Sequence, residues 1–324
     1  MNMLFCSVGR RAKLLKNLKE SHPDVNILAT DNSPYAPALN FADQRFLAPR
    51  IDDPNYIDFL IDICRTNDVK AITTLIDPEI ELLSKNRDLF VSHGILPLCP
   101  VESTAKLCFD KFLMYQYLTE KNIDTILTYG DIDSFQHALK KGEINFPVFI
   151  KPRAGSASVG AEKIENLADL KDRFKKNVGH NYIIQELMLG DDIDADVYVD
   201  CISNDVVSIF SKKKLETKIG GASKTISFKD HKLFELVKNI LLNFKFYGPL
   251  DMDFFYKNGR YYLSEINPRF GGAYLHAFGA GVDFYKLILN NINGERNLDS
   301  IGSYENDILM MMYDDVIIKK LSEL

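Results

Sequence analysis

The sequence lacks most of the features that would assign it to a specialised class of protein. It has no tryptophan, and its cysteines are few, odd in number and without a CxxC spacing. Neither a disulfide framework nor a zinc site is therefore indicated, and we expect buried, reduced thiols. The cysteines are Cys6, Cys64, Cys99, Cys108 and Cys201. No apolar run is long enough to span a membrane, and the first residues lack the pattern of a signal peptide, so we expect a cytoplasmic protein.

A strong charge bias and the GxxxxGK[ST] phosphate loop are also absent. The formal net charge of −6 gives no electrostatic reason to expect nucleic acid as a partner. With 324 residues, of which 46% are hydrophobic and 26% charged, the chain is long enough for two or three modules with cores of their own.

The most informative stretch is residues 248–272, GPLDMDFFYKNGRYYLSEINPRFGG. It predicts a β-hairpin with its turn at 257–260. Alternation along the first strand places Asp251 and Asp253 on one face, and strand pairing brings Glu265 and Asn267 close to them. Carboxylate and amide oxygens suit Mg2+, which also accepts ligands from water and phosphate. The alternative is a solvent-facing hairpin edge with ordinary acidic residues.

The N-terminal part of the chain alternates between strand-like and helix-like runs, which predicts a small parallel sheet with helices on both faces. A dinucleotide fold would use Asp31 for the ribose. In this sequence, however, the turn that would bind the phosphates reads SVGRRAK rather than GxGxxG, so NAD binding is not expected. Arg10 and Arg11 in this turn either meet an anionic substrate or are surface arginines near a helix start.

Several local structures follow from shorter patterns. We expect Asp77 to cap the helix that follows it, with the alternative that it faces a ligand cleft at the carboxyl edge of the sheet. A single helix is predicted from Ser103 to about Lys121. Apolar runs between 308 and 318 are expected to complete the core, and His276 is expected to be a packed side chain.

Residues 147–160, PVFIKPRAGSASVG, form a second informative stretch. A strand that ends at Lys151 is followed by a pliable loop of small residues, whose backbone N–H groups can surround a polyphosphate while the lysine supplies charge. The small residues are Gly155, Ser156, Ser158 and Gly160. A flexible hairpin tip explains the same composition. A later run of lysines at 212–214 lies between two acidic segments. These lysines either bind the phosphates of a nucleotide or form a solvent-exposed strand edge.

Four segments in order resemble the ATP-grasp family of carboxylate–amine ligases. They are Asp110-Lys111, KPRAGSASVG from Lys151, QELMLGDDIDADV from Gln185, and the DMD…SEINPRFGG hairpin. The chain is most similar to single-unit proteins related to the large subunit of carbamoyl-phosphate synthase. The resemblance implies an α/β fold, α+β in its C-terminal part. Its units are an N-terminal pre-ATP-grasp domain (1–104), a small lid subdomain (105–185) and a C-terminal subdomain with the metal site (186–324).

The resemblance also implies a role for each matching position. Lys111 and Lys151 would contact ATP phosphates under the loop from Gly155 to Gly160, and Arg269 would steady the transferred phosphoryl group. The adenine hinge would comprise Gln185, Glu186, Leu187 and Met188. Asp192 stands where the family often has a ribose-binding glutamate, and Lys212 and Lys214 stand where relatives commonly have arginine. The implied metal ligands are Asp253, Glu265 and Asn267.

The implied reaction uses ATP with Mg2+ or Mn2+ to activate a small carboxylate as an acyl phosphate and to join it to an amine. The partners would be these small molecules, with no nucleic acid or membrane, and the protein could form a homodimer. Two alternatives stay open. One is a subunit related to carbamoyl-phosphate synthase that phosphorylates bicarbonate or carbamate beside a partner chain. The other is a nucleotide-binding protein without catalysis.

Overall fold

The computed structural model describes residues 1–155, 160–176, 182–218 and 221–323. Its N-terminal sheet has five strands in the order β3-β2-β1-β4-β5, all parallel. They are β1 (Asn2–Cys6), β2 (Asn26–Asp31), β3 (Gln44–Leu47), β4 (Val69–Thr74) and β5 (Leu96–Pro97). The parallel sheet predicted from the alternating pattern is thus confirmed. Because the chain order reverses between β1 and β4, the crevice for a ligand lies at the carboxyl ends of these two strands.

A small antiparallel sheet of four strands, in the order β6-β9-β7-β8, follows in the chain. Its strands are β6 (Thr128–Tyr129), β7 (Val148–Pro152), β8 (Glu162–Ile164) and β9 (Tyr182–Glu186). Alternation along β7 puts Phe149 and Lys151 on the same face, and Ile150 points to the opposite face, into a separate core under this sheet.

The third sheet has six antiparallel strands in the order β14-β13-β10-β11-β12-β15. They are β10 (Asp191–Val199), β11 (Val206–Lys218), β12 (Gly221–Phe228), β13 (Gly248–Lys257), β14 (Arg260–Asn267) and β15 (Leu309–Met311). The predicted hairpin forms from β13 and β14, with Asn258 and Gly259 at φ angles of 51° and 80° in its two-residue turn. Asp253 pairs with Glu265, and Asp251 pairs with Asn267, so the expected clustering of these side chains on one face is confirmed.

Eleven α-helices occur in the described ranges, with two short 3-10 helices at Pro37–Phe41 and Leu321–Glu323. The α-helices are α1 (Ala12–Ser21), α2 (Tyr56–Thr66), α3 (Asp77–Lys85), α4 (Arg87–Ser92), α5 (Glu102–Phe109), α6 (Lys111–Glu120), α7 (Ile132–Lys141), α8 (Leu167–Lys176), α9 (His231–Leu241), α10 (Tyr274–Gly279) and α11 (Phe284–Ile292). One apolar core extends from a face of the N-terminal sheet to the six-stranded sheet. This shared core fixes the N-terminal sheet against the hairpin.

The single helix predicted from Ser103 to Lys121 is wrong, because the chain breaks at Asp110 into α5 and α6. Asp110 has extended backbone, with ψ at 101°. Its carboxylate accepts hydrogen bonds from the N–H groups of Phe112 and Leu113, both at 3.0 Å, and from Arg153 Nε at 2.7 Å to each oxygen. A capping aspartate with this second partner stabilises the break more than a continuous helix would.

The expectation for the C-terminal apolar runs is also wrong. Leu309–Met311 forms the short edge strand β15, but Tyr313, Val316 and Ile318 are 73%, 77% and 91% exposed. The apolar pattern could not reveal this, because the core is already filled by α9 and α11. Within the described ranges no helix combines the length and apolarity needed to cross a membrane.

Candidate active site

A cavity of about 270 Å3 lies between the small sheet and the six-stranded sheet. One wall comes from Phe149, Lys151 and the end of β9, and the other from Asp253, Phe255 and Glu265. Eleven of the residues that the resemblance singled out line it: Lys111, Lys151, Gly155, Gln185, Glu186, Leu187, Met188, Asp192, Lys214, Asp253 and Glu265. Residues from distant parts of the sequence thus converge on one space.

The apolar end of the cavity adjoins the end of β9. Four apolar side chains contribute to its walls, namely Ile126, Phe149, Met188 and Phe255. The side-chain amide of Gln185 already has a protein partner, because it donates to Thr128 Oγ1 at 2.9 Å. Sequence reasoning overlooked Phe149, although it shares a strand face with Lys151 and this alternation could have predicted it. No local pattern indicated Ile126.

Both the carboxylate and the backbone N–H of Glu186 make hydrogen bonds. Its carboxylate accepts from Lys257 Nζ at 2.9 Å, and its N–H donates to the Leu127 carbonyl at 2.9 Å. A flat ring at this end of the cavity would therefore meet apolar side chains and the backbone at Leu187.

Two lysines bring positive charge to the other end of the cavity. Lys111 Nζ lies 3.1 Å from Glu265 Oε1 and donates to the Gly155 carbonyl at 2.5 Å. The ammonium group of Lys151 makes no hydrogen bond or ion pair with another described residue. Burial lowers the pKa of Lys151, and the charge of Lys111 adds to the effect, while Glu265 and Asp253 oppose it. A partly buried ammonium without a partner among the described residues is suited to bind an anionic group.

Acidic side chains face these lysines from the six-stranded sheet. Lys214 contacts both Asp253 and Asp192, the latter at 3.0 Å. Burial raises the pKa of Asp253 to about 6, helped by Asp194 and Glu265 and opposed by Lys214. Burial also raises the pKa of Asp192. Burial alone would lower the pKa of Lys214, but the surrounding carboxylates outweigh it and raise this pKa.

The predicted metal ligands lie next to one another. Asp253 and Glu265 are opposite on adjacent strands, and Asn267 Nδ2 donates to Asp253 Oδ2 at 3.1 Å. Within the described ranges no three His, Cys, Asp or Glu side chains form a metal-binding group. Two carboxylates and an amide nevertheless fit Mg2+, which takes its other ligands from phosphate and water. The contacts with the Lys111 and Lys214 ammonium groups show that this position is already favourable for positive charge.

Lys212 lies elsewhere. It is completely buried and contacts Asp196 Oδ2 at 2.5 Å and Asp194 Oδ2 at 3.2 Å. The cavity reaches Lys214, two residues further along the same strand face, but not Lys212. Lys212 therefore neutralises buried carboxylates beneath the site. Among the other loop positions, Gly160 is described but does not line the cavity, and Ser156 and Ser158 lie outside the described residues.

Arg269 binds a residue that we predicted to be a helix cap. Its Nε and Nη2 donate to the two carboxylate oxygens of Asp77 at 2.6 and 3.0 Å. Helix α3 begins at Asp77 itself, and no side chain caps it. The capping prediction is wrong, because a bidentate pair with arginine is stronger than a cap. Only the tertiary contact of α3 with the hairpin could reveal this partner.

The other expectations near this edge of the sheet have mixed outcomes. Arg10 is exposed, whereas Arg11 Nη2 donates to the carbonyls of Phe270 and Gly271 at 3.2 and 2.7 Å. Asp31 accepts the Gly9 N–H at 2.7 Å, so it supports the turn. His276 is 2% exposed and is packed, as expected.

Comparisons with known proteins agree with this geometry. Residues 3–98 match the family described as PylC-like, N-terminal domain, and residues 108–273 match the family described as ATP-grasp domain. A D-alanine–D-alanine ligase from Campylobacter jejuni is 26% identical over 244 residues, which cover 64% of this chain and 68% of the ligase.

Solved structures show the same fold. The N5-carboxyaminoimidazole synthetase of Staphylococcus aureus, in complex with ADP, superposes with a TM-score of 0.74 at 16% identity, covering 96% of this chain and 79% of that one. The biotin carboxylase domain of the Hydrogenobacter thermophilus 2-oxoglutarate carboxylase, with MgADP, ADP and bicarbonate, gives a TM-score of 0.74 at 17% identity, covering 95% and 73%. The ATP-grasp match alone covers just over half of the sequence, and the protein belongs to the ATP-grasp family.

Proposed function

We propose that this protein is an ATP-dependent ligase that activates a small carboxylate as an acyl phosphate and joins it to an amine. The observation that carries the proposal is the convergence of Lys111 and Lys151 with Asp253 and Glu265 around one cavity. The similarity to a D-alanine–D-alanine ligase supports the same class of reaction. We retain the division into units 1–104, 105–185 and 186–324, and the homodimer stays a prediction.

The apolar end of the cavity would hold the adenine, with the Leu187 backbone as its polar contact. Asp192 would accept a hydrogen bond from the ribose while it shares its contact with Lys214. The ammonium of Lys151 would then bind phosphate oxygens, and Lys111 would move from the Glu265 carboxylate towards the same oxygens. These lysines neutralise charge that increases on the phosphates during transfer.

Asp253, Glu265 and Asn267 would hold Mg2+, which supplies charge neutralisation and orients the phosphates when it is bound. In the first step a carboxylate oxygen of the substrate attacks the γ-phosphorus, and ADP leaves. In the second step the amine nitrogen attacks the acyl carbon, phosphate leaves, and the nitrogen loses a proton. Arg269, two residues after Asn267 in the sequence, would donate hydrogen bonds that stabilise the transferred group.

Hydroxylamine provides a direct test, since it converts acyl phosphates to hydroxamates. The purified protein would be incubated with Mg-ATP, hydroxylamine and pools of small carboxylates, including amino acids and bicarbonate. We expect one pool to give a hydroxamate with stoichiometric ADP, and Glu265→Gln to abolish it. The exposed Glu305→Gln is the matched control and should retain activity.

Two outcomes would replace this proposal. ADP release that requires only bicarbonate and ammonia would indicate carbamoyl-phosphate chemistry. Tight ATP binding without ADP formation on any acid, with or without hydroxylamine, would indicate a protein that binds nucleotide without this ligase activity.

A further inference from the structure

The ion pair between Arg269 and Asp77 joins residues 192 positions apart in the sequence. Asp77 is the first residue of α3, directly after β4, and Arg269 lies two residues beyond the end of β14. Each side chain is only 14% exposed. Burial alone would lower the pKa of Arg269, but the Asp77 carboxylate outweighs this effect and raises it. The two hydrogen bonds between these side chains fix the hairpin end against the N-terminal sheet.

The hydrogen bonds of Arg269 leave part of its guanidinium available. A guanidinium has five N–H donors. Nε and Nη2 each donate once to Asp77, and Nη1 donates once to the Phe270 carbonyl at 3.1 Å. One N–H on each terminal nitrogen thus makes no hydrogen bond within the described part of the chain. Because the guanidinium is planar, Asp77 also fixes the directions of these two donors.

Asp77 lines a cavity beside the proposed metal ligands, whereas Arg269 reaches this region only through its contact with Asp77. A second, smaller cavity of about 20 Å3, with room for about one small polar group, is lined by Asp77, Glu265 and Asn267. Glu265 and Gly155 line the larger cavity as well, so the two spaces adjoin. The carboxylate that holds Arg269 is therefore next to the proposed metal ligands.

We propose that Asp77 is a positioning residue for phosphoryl transfer, whose bidentate contact aims the two remaining N–H groups of Arg269 at the transferred phosphoryl group. This inference rests on the proposed function, and it gives the N-terminal unit a part in positioning a group that assists the transfer. Asp77 acts only through Arg269. Its removal should therefore change the rate of transfer and leave nucleotide binding intact.

A bridge that serves only stability is the competing explanation, and the chain offers a matched control for it. His22 Nε2 and Asp283 Oδ2, 2.8 Å apart, also join the N-terminal unit to the C-terminal part. Asp283 caps α11, and asparagine preserves a cap. Asp283→Asn therefore removes the carboxylate charge from a second contact between the same two parts, away from both cavities.

The test compares Asp77→Asn with Asp283→Asn in hydroxamate formation and in thermal melting. For Asp77→Asn we expect kcat to fall about 10- to 100-fold, because misplacement of a positioned group by about 1 Å costs this much, with KM for ATP unchanged. Affinity for Mg-ADP with fluoroaluminate, which mimics the group in transfer, should fall with kcat, while affinity for Mg-ADP alone should not. Asp283→Asn should change none of these quantities.

Two further variants separate this inference from the proposed function. Arg269→Lys should reduce kcat, since lysine cannot form the fork, and the double variant Asp77→Asn/Arg269→Lys should be no slower than Arg269→Lys alone. Additive losses, or a wild-type kcat in Asp77→Asn, would overturn the positioning role while the ligase proposal stands. If Arg269→Lys is fully active, both the role of Arg269 and that of Asp77 are overturned.

Asp77→Glu keeps the measurement possible if Asp77→Asn does not fold. It retains the carboxylate but displaces it by one methylene, so the guanidinium is held in a shifted orientation. We expect a folded protein with reduced kcat and an unchanged affinity for Mg-ADP. Wild-type kcat in this variant would show that the direction of the Arg269 donors is not critical, and it would overturn the proposal.

Discussion

Lys151 has an unusual position among the charged side chains of the site. Lys111 and Lys214 have carboxylate partners, whereas Lys151 lines the cavity, partly buried, and has no carboxylate partner among the described residues. Its desolvation is a cost in the unliganded protein that a phosphate group would offset. We therefore expect the side chain to contribute to ligand binding rather than to the stability of the unliganded fold.

Lys151→Met should consequently weaken ATP binding without destabilising the protein. A hydrogen bond to a charged group contributes about 1.5–3 kcal/mol, so we expect the Kd for Mg-ATP to rise about 10- to 100-fold. The melting temperature of the unliganded variant should be equal to or above that of the wild type. Titration calorimetry and thermal melting measure both quantities, with the exposed Lys171→Met as the control. Wild-type affinity in Lys151→Met would remove this lysine from the phosphate site.

His276 makes folding dependent on pH. Its Nδ1 lies 2.7 Å from Thr225 Oγ1 and its Nε2 lies 2.9 Å from the Ile308 carbonyl. Burial lowers its pKa to about 4, helped by the charge of Lys212. An unfolded histidine binds a proton near pH 6.5, so its stabilising contribution is complete above that pH and is lost as the pH falls towards 4.

The variant His276→Gln should remove this pH dependence. The difference in free energy of unfolding between wild type and variant should shrink by roughly 3 kcal/mol between pH 6.5 and pH 4. Urea unfolding across this range measures it, with the exposed His93→Gln as the control. A difference that stays constant over the range would show that His276 does not titrate in this way.

At the scale of an element, the segment that follows β14 is built around a glycine. A Cβ on Gly271 would lie 2.5 Å from Asp196 Oδ1 and 2.8 Å from Asp251 Oδ1. These carboxylates are buried around Lys212 and cannot move easily. The same segment carries Arg269 and receives two hydrogen bonds from Arg11, so its path determines where the guanidinium lies.

Gly271→Ala should therefore destabilise the fold by about 1–3 kcal/mol, as overpacking does, and should reduce turnover by displacing Arg269. Gly272→Ala is a close control, because a Cβ there meets nothing within 4 Å. Urea unfolding and hydroxamate formation would be measured for both. Equal stability of the two variants would contradict the close approach at Gly271.

At the scale of the whole molecule, the proposed nucleotide would bridge the small sheet and the six-stranded sheet, which have separate apolar cores. Mg-ATP at 100 times its Kd should raise the free energy of unfolding by about 2.7 kcal/mol. The gain should be smaller with ATP and a chelator, and Glu265→Gln should lose this dependence on Mg2+. Urea unfolding with and without each ligand measures the gain in the free energy of unfolding. An equal gain with and without Mg2+ in the wild type would contradict the metal assignment.

The sequence was most predictive where short-range periodicity fixes geometry. Alternation placed Asp253 opposite Glu265, and the Asn-Gly turn fixed the register that achieves it. It was least predictive where two partners compete for one side chain. Asp110 both caps α6 and binds Arg153, which ends a helix that the local pattern continued. Lys212 and Lys214 look equivalent in sequence, but only Lys214 reaches the cavity.

The sequence by itself thus determined the parallel N-terminal sheet, the acidic hairpin and the family of the chain, because strand alternation and turn chemistry act over a few residues. The tertiary structure alone decided which charges are paired. Asp77 meets Arg269, and Lys151 has no partner among the described residues, because each charge depends on the neighbours that the packing of distant elements provides. Such pairings have no signature in local sequence, and at this site they determine which groups are available to a ligand.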